Sequence, residues 1–291
     1  DAEDSAQAGA PELHEGAPGN VCLDFFVGDD DATNRAFAAA AHVSSVRINS
    51  TRMIVNAMEP RSVIGDYDAA SERFTIHMPS QGVMGPKNTL AKAIFKVDPA
   101  RFRVISNDVG GSFGMKGASF VEAVSVLYAA RKLGRPVKWT ADRSESFVAD
   151  HQGRDSMITA ELALDRDGHF LGLRCSGVGN VGAYLTAMGP APMTGVICRN
   201  IVSVYRTPAF SYNTQAIFSN TIPTAPYRGA GRPESKYIME QLVDRAAREM
   251  GIDRVEIRRR NLIPADGFPW KAPNGQTYDS GEFETVMDKA L

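Results

Sequence analysis

The stretch "DVGGSFGMKG", residues Asp108–Gly117, holds four glycines among ten residues and lies between a predicted strand and a predicted helix. A glycine loop in that position presents backbone N–H groups and the positive end of a helix dipole to an anion. It departs from the ATP-binding Walker pattern, because Met115 separates glycine from lysine and Gly117 replaces Ser or Thr. The ring of Phe113 offers no donor to a phosphate, but it can pack against a planar ligand. We predict a ligand site here, with a plain tight turn as the alternative.

Outward from this loop, runs of strands are interrupted by a few long helices without regular alternation. This pattern predicts an α+β fold with mixed sheets and several packed helices. The predicted helix behind the loop begins with a capping box formed by Ser119 and Glu122 and ends at Gly134. The predicted strands are residues 43–49, 52–58, 62–68, 73–79, 101–107, 136–142 and 211–220, with a hairpin over 155–180. The predicted helices are residues 30–40, 88–95, 119–133, 233–250 and 254–262.

Composition excludes several classes of function. The formal net charge of -2 predicts no nucleic-acid partner, and no apolar run is long enough to predict a membrane span. Three separated cysteines and five scattered histidines lack the spacing of a disulfide framework or of a protein-held metal. We therefore expect a cytoplasmic protein with no metal ligand from its own side chains.

The two ends of the chain lead to an expectation about its domains. Residues 1–20 are rich in Ala, Gly, Pro and acidic residues without apolar periodicity, which is typical of a flexible linker. A helical pattern over residues 281–291 stops without a capping glycine. We expect truncation at both ends and one region over residues 21–291.

The segment "GVGNVG", Gly177–Gly182, matches the dinucleotide-binding pattern GxGxxG. Its context differs from that of a Rossmann unit, since Pro190 and Pro192 interrupt the required helix, and Arg199 and Asn200 occupy the region of the expected acid. A nicotinamide dehydrogenase is therefore a minor alternative, and a strand end is favoured.

The segment "TAPYRGAGRPE", Thr224–Glu234, places Arg228 and Arg232 around two glycines immediately before a predicted helix. Guanidinium groups on such a loop suit bidentate recognition of a carboxylate, a phosphate or a polar substrate atom. A surface turn paired with Glu234 is the alternative.

Seven segments in this order resemble the molybdenum-binding large subunit of the xanthine oxidase family, most closely the aerobic carbon monoxide dehydrogenase type. They are "NAMEPR", "MPSQ", "DVGGSFGMK", "VKWTADRSESF", "GNVGAYL", "APYRGAGRPE" and "EMGIDRVEIRRRNLIP". The resemblance extends from about residue 40 to residue 280. It implies that residues 21–291 form the first half of a molybdopterin-binding region, and that the second half and an N-terminal domain lie outside this chain.

The resemblance implies a molybdopterin cofactor, usually the cytosine dinucleotide form in bacteria, whose sulfurs hold the metal. Gln81 matches the glutamine that binds the oxo ligand, Phe113 lines the substrate position, and Arg228 contacts substrate. These three are the expected catalytic residues. The expected cofactor-binding residues are Gln81, Gly111, Ser112, Phe113, Gly114, Arg228, Gly229 and Ala230.

The resemblance also implies a reaction, which is hydroxylation with oxygen from water. Electrons leave through 2Fe–2S clusters to FAD on separate iron–sulfur and flavin subunits, and the catalytic base lies outside this chain. We expect this chain alone to lack the cofactor and to be inactive.

Two departures from the family pattern narrow the range of expected substrates. Gly229 replaces the copper-holding cysteine of true carbon monoxide dehydrogenases, and Gly117 replaces the acid of purine-oxidising members. The expected substrate is an aldehyde or an N-heterocycle rather than carbon monoxide. A non-catalytic anion- or nucleotide-binding domain remains the alternative from a different class.

Overall fold

A computed structural model describes all 291 residues, and the chain divides into two compact units. The large unit comprises residues 1–52, 154–221 and 229–291, and the small unit comprises residues 53–153 and 222–228. Residues 21–291, expected as one region, are therefore shared between two units.

The elements are numbered in chain order. The strands are β1 (Val21–Gly28), β2 (His42–Ser50), β3 (Ser62–Asp68), β4 (Arg73–His77), β5 (Phe102–Ile105), β6 (Val137–Thr140), β7 (Ser156–Leu164), β8 (Phe170–Gly182), β9 (Ala209–Phe218), β10 (Trp270–Lys271) and β11 (Thr277–Tyr278). The helices are α1 (Ala2–Ser5), α2 (Asp30–Ala39), α3 (Met84–Asn88), α4 (Val121–Leu133), α5 (Arg143–Ala149), α6 (Ile197–Ile201), α7 (Arg232–Met250), α8 (Arg254–Asn261) and α9 (Phe283–Ala290). Mixed sheets with packed helices confirm the predicted α+β class.

The large unit is built on a five-stranded sheet in the order β1-β9-β8-β7-β2. Strands β8 and β9 run parallel and the other neighbours antiparallel. The predicted hairpin over residues 155–180 is confirmed as β7 and β8. The dinucleotide-like segment Gly177–Gly182 lies inside β8 and pairs along both edges, so it is not the strand-to-helix turn of a Rossmann unit.

Helix α7 covers this sheet. Its buried side includes Ile238, Leu242 and Ala246, which recur at helical spacing, and Gly251 ends the helix in a left-handed conformation at φ 67°. Asp253 then caps α8 by accepting hydrogen bonds from the first turn of that helix. No helix in the chain combines the length and the apolar character needed to cross a bilayer.

The first 20 residues, expected as a flexible linker, make specific contacts within the large unit. Asn20 is fully buried, and its side chain donates to the carbonyls of Ser5 and Pro11 and accepts from the amide of Leu13. The ring of His14 hydrogen-bonds the carbonyl of Ala183 at 2.7 Å. Composition alone did not indicate these contacts, because one buried asparagine makes most of them.

The small unit has a four-stranded sheet in the order β5-β4-β3-β6, with β4 and β5 parallel. Helix α4 packs on this sheet. The core is formed by Val63, Phe74, Ile76, Leu90, Phe102 and Leu127. The predicted helix over residues 88–95 is a π-helical continuation of α3 over Thr89–Phe95.

Two predictions in the small unit are wrong. The expected capping box is absent, because α4 begins at Val121 without a side-chain cap and Glu122 instead binds Arg61. The expected strand over residues 52–58 is reduced to a single bridge between Met53 and Gly153. Its apolar residues gave a strand-like pattern without a neighbouring strand to pair with.

Candidate functional site

The glycine loop, residues 108–117, leaves β5 and reaches α4 through backbone conformations that favour glycine. Gly111 and Gly114 have φ of 98° and 112°. A Cβ on Gly114 would lie 2.0 Å from the carbonyl oxygen of Pro226, so no other residue fits there. Phe113 also has a positive φ, 52°, which is rare for an aromatic residue, and its side chain is 42% exposed.

Gln81 is bound to this loop through one end of its side-chain amide. Its Oε1 accepts hydrogen bonds from Ser112 Oγ at 2.6 Å and from the Gly114 amide at 2.7 Å. An amide N–H can only donate, so the orientation of the Gln81 side chain is determined. Its exposed Nε2 donates to no protein group and is available to a ligand.

Arg228 is the third predicted catalytic residue, and the structure brings it to the same loop. Its amide donates to the carbonyl of Phe113 at 2.9 Å, and its guanidinium carbon lies 6.0 Å from the centre of the Phe113 ring. The segment 222–228 is held in place by Gln152, which bonds both Pro223 and Ala225 through its backbone. A cation and an exposed ring therefore lie side by side where segment 222–228 meets the glycine loop.

The predicted cofactor-binding residues fall into two groups. Gln81, Gly111, Ser112, Phe113, Gly114 and Arg228 are clustered in the small unit. Gly229 and Ala230 follow in the chain but belong to the large unit, with φ of 89° and 43° on the approach to α7. They remain predictions.

Sequence reasoning missed an ion pair behind the glycine loop. Lys116 is 2% exposed, and its Nζ donates to Glu59 Oε2 at 2.7 Å and to the Glu59 carbonyl at 2.8 Å. Burial would raise the pKa of the Glu59 carboxyl, but hydrogen bonds from Lys116 and Gly110 outweigh it and hold that pKa below its ordinary value. The only signal in the sequence was the position of both residues in motifs of the resemblance.

A second missed cluster surrounds the buried Arg61. Its guanidinium donates to Asp150 Oδ1 at 2.5 Å and to both carboxylate oxygens of Glu122, and it lies 3.8 Å from the centre of the Phe120 ring. Burial would lower the pKa of Arg61, but these carboxylates outweigh it and raise that pKa. The cluster joins the start of α4 to the segment that precedes Gln152.

His151 stacks on Phe120, with its ring centre 4.3 Å from that of Phe120. Its Nδ1 is buried without a hydrogen-bond partner. Burial, together with the positive charge of Arg61, lowers the pKa of His151 from 6.5 to about 4. The ring is therefore neutral at neutral pH and is part of the packing.

One group of potential metal ligands lies away from this site, on the exposed turn between β7 and β8. Ligand atoms of Asp165, Asp167 and His169 lie within 4.8 Å of one another. The carboxylate of Asp165 accepts hydrogen bonds from the backbone amides of Asp167 and His169, so it already has partners within the turn.

Comparison with known proteins identifies the family of this chain. Residues 13–262 match the family model described as the molybdopterin cofactor-binding domain. The chain belongs to this family. It is a large-subunit domain of the molybdenum hydroxylases, which confirms the resemblance.

Three relatives illustrate the range of this family. The 6-hydroxypseudooxynicotine dehydrogenase complex subunit gamma of Paenarthrobacter nicotinovorans is 35% identical, covering 89% of this chain and 33% of that subunit. The carbon monoxide dehydrogenase large chain of Hydrogenophaga pseudoflava is 30% identical, covering 91% of this chain and 33% of that chain. The crystal structure of quinoline 2-oxidoreductase from Pseudomonas putida 86 superposes with a TM-score of 0.88 at 29% identity, covering 98% of this chain and 36% of that chain. The molybdopterin-binding domain of this protein thus spans about a third of the relatives that it matches.

Proposed function

We propose that this domain forms one wall of a molybdenum active site that hydroxylates an aldehyde or an N-heterocycle with oxygen derived from water. The observation that carries the proposal is that Gln81 and Arg228 both bind the glycine loop that bears Phe113. When bound, the cofactor supplies a molybdenum centre that accepts electrons from the substrate. The second half of the large subunit would supply the other wall and the catalytic base.

The residues of the small unit fit this cofactor. Gln81 presents an N–H donor suited to an oxygen atom, and the exposed ring of Phe113 lies on the same loop. No cluster of His, Cys or carboxylate ligands lies at the loop, which agrees with a metal held by the sulfurs of the cofactor itself.

Each of the three residues has a role that follows from its chemistry. Gln81 would hold the cofactor, because its Nε2 can donate a hydrogen bond to an oxygen atom. Phe113 presents a ring to a planar substrate and excludes water from one face. Arg228 donates a hydrogen bond to a ring nitrogen or a carbonyl oxygen of the substrate, and this orients the carbon to be hydroxylated.

The structure argues against the alternative of a simple anion site. The amides of Gly110, Gly114 and Lys116 already donate to Glu59, Gln81 and Ser112. The carboxylate of Glu59 also lies at the loop and would repel an anion. A glycine cradle for phosphate needs these amides free.

Two kinds of evidence support an N-heterocycle as the substrate. The names of two relatives specify quinoline and 6-hydroxypseudooxynicotine. Gly229 offers no thiolate for a second metal, which argues against carbon monoxide. The cytosine dinucleotide form of the cofactor, the 2Fe–2S and FAD subunits and a cytoplasmic location complete the proposal, and we expect this chain alone to have no turnover.

The test is molybdenum and pterin analysis of the full-length large subunit, co-expressed with its neighbouring subunits and maturation factors, beside this chain. About one molybdenum per large subunit, with little on this chain, is expected. Absence of molybdenum from the assembled complex would overturn the proposal. In the loaded complex, Arg228→Gln should lower kcat/KM for quinoline or benzaldehyde on the order of a hundredfold.

A further inference from the structure

We propose that the Glu59–Lys116 ion pair is a positioning element for Gln81. It holds the glycine loop in the one conformation in which the side-chain amide of Gln81 presents its N–H end to a ligand. The inference rests on the proposed function, which gives that N–H end its role toward the cofactor.

Glu59 closes the glycine loop at both ends. Its Oε2 accepts from the amide of Gly110, at the start of the loop, at 2.9 Å and from Lys116 Nζ, near the end of the loop, at 2.7 Å. The Glu59 amide also donates to the Gly110 carbonyl at 3.0 Å. One carboxylate thus holds together two ends of a segment whose glycines would otherwise give it many conformations.

Lys116 transmits this constraint to Gln81 through its backbone. The backbone amide of Lys116 donates to Ser112 Oγ at 3.1 Å, and its backbone carbonyl accepts from the backbone amide of Gln81 at 3.2 Å. A serine hydroxyl has one proton. Ser112 accepts from Lys116 through a lone pair and donates that proton to Gln81 Oε1, which can only accept, so the Nε2 end of Gln81 remains as the donor.

The ion pair is more than a surface contact. The Lys116 side chain is 1% exposed, whereas that of Glu59 is 35% exposed. A buried ammonium group needs a partner, because its desolvation is otherwise uncompensated. A Cβ on Gly110 would lie 2.5 Å from Glu59 Cβ, so the backbone at this end of the loop packs directly on the glutamate.

The test is Lys116→Met, measured by NMR on this chain without cofactor. The methionine fills the buried space, and Glu59 can be hydrated, so the fold should persist. With glutamine side chains labelled with ¹⁵N, the chain gives one NH₂ pair for each of its six glutamines. The Gln81 pair should shift because Oε1 of the same amide loses its bonds from Ser112 and Gly114, and exchange of the Gly114 amide should accelerate on the order of tenfold.

Lys132→Met, at an exposed position near the end of α4, is the matched control and should leave all six pairs unchanged. Glu59→Gln is the second variant, and it should shift the same Gln81 pair. Glu59→Asp, which keeps the charge, should restore part of the original signal. A purely structural role of the ion pair predicts broad changes across the small unit without this selectivity.

An unchanged Gln81 signal in both Lys116→Met and Glu59→Gln would overturn the proposal. If either variant fails to fold, the other decides. Because these measurements contain no cofactor, their failure would leave the molybdenum test of the proposed function unaffected. Conversely, absence of molybdenum from the full complex would refute the proposed contact of Gln81 with the cofactor. It would not change the NMR result on how the ion pair positions Gln81.

Discussion

The side-chain oxygen of Gln81 lies 2.7 Å from the amide nitrogen of Gly114, across 33 residues of chain. This bond links a residue that lies four positions after the end of β4 to the middle of the glycine loop. It requires Gly114 to hold a backbone conformation that a side chain would not tolerate. The side chain of Gln81, which we propose as a donor to the cofactor, and the glycine pattern are thus two parts of one arrangement.

Gly114→Ala should destabilise the small unit by about 2 kcal/mol or more, because the new Cβ would meet the Pro226 carbonyl at a φ of 112°. Gly117→Ala is the control in the same loop, since its Cβ would meet only Gln81 Oε1 at 3.9 Å. It should cost less than about 1 kcal/mol. Urea unfolding of both variants measures the difference, and equal losses would contradict the close approach at Pro226.

Arg61→Leu should destabilise the small unit by about 3–5 kcal/mol, because it leaves the buried Asp150 carboxylate without its partner. Arg101→Ala is the control, since it removes an exposed ion pair with Glu72 in the same unit. That change should cost less than about 1 kcal/mol. Both values come from chemical denaturation, and similar costs would show that the Arg61 cluster is solvated.

His151 should make the stability of the small unit depend on pH. Its pKa is about 4 in the folded chain and 6.5 in the unfolded chain, so the unfolded state binds the proton first as the pH falls. The stability contributed by the neutral ring is complete above pH 6.5 and is lost on the way down to about pH 4.

His151→Phe keeps the stack on Phe120 and removes this titration. Between pH 6.5 and about 4.5 the unmodified chain should lose roughly 2 kcal/mol more stability than the variant. Below that range the carboxyls of Glu59 and Glu122, whose pKa values are lowered, also begin to bind protons. Urea unfolding at several pH values measures the slopes, and parallel slopes would exclude a buried neutral histidine.

Asn20→Ala should release the first 20 residues from the large unit. The change leaves the carbonyls of Ser5 and Pro11 and the amide of Leu13 without their partner. We expect the free energy of unfolding to fall by about 2 kcal/mol and a protease to cleave this segment faster. Gln7→Ala, at an exposed position in the same segment, should change neither. Equal cleavage rates for all three proteins would support the flexible linker that composition predicts.

Much of the candidate site could be predicted from the sequence because its residues lie in short segments with specific residue types. Phe113 and its glycines are contiguous, and the motif around Arg228 precedes a helix whose apolar spacing is regular. Local chemistry is enough to identify such segments. Only the family resemblance predicts that Phe113 and Arg228 lie near Gln81, and the structure gives the hydrogen bonds and distances between these segments.

The ion pairs could not be predicted in this way. Asp150 and Arg61 are separated by 89 residues, and Lys116 and Glu59 by 57, so no periodicity connects them. Glu122 illustrates the difficulty, since its spacing from Ser119 indicates a cap whereas its carboxylate binds Arg61. Spacing along the chain does not show whether Glu122 stabilises the fold more as a helix cap or as the partner of a buried cation.

The path of the chain between its two units also sets an order of assembly during synthesis. The segment with Arg228 leaves the ribosome after β7, β8 and β9, although it completes the small unit. Until then, the backbone at Gly114 and Gly153 that packs against Pro226 and Tyr227 is uncovered. A nascent chain that ends before Ile222 would therefore carry an unfinished small unit with this backbone exposed to solvent.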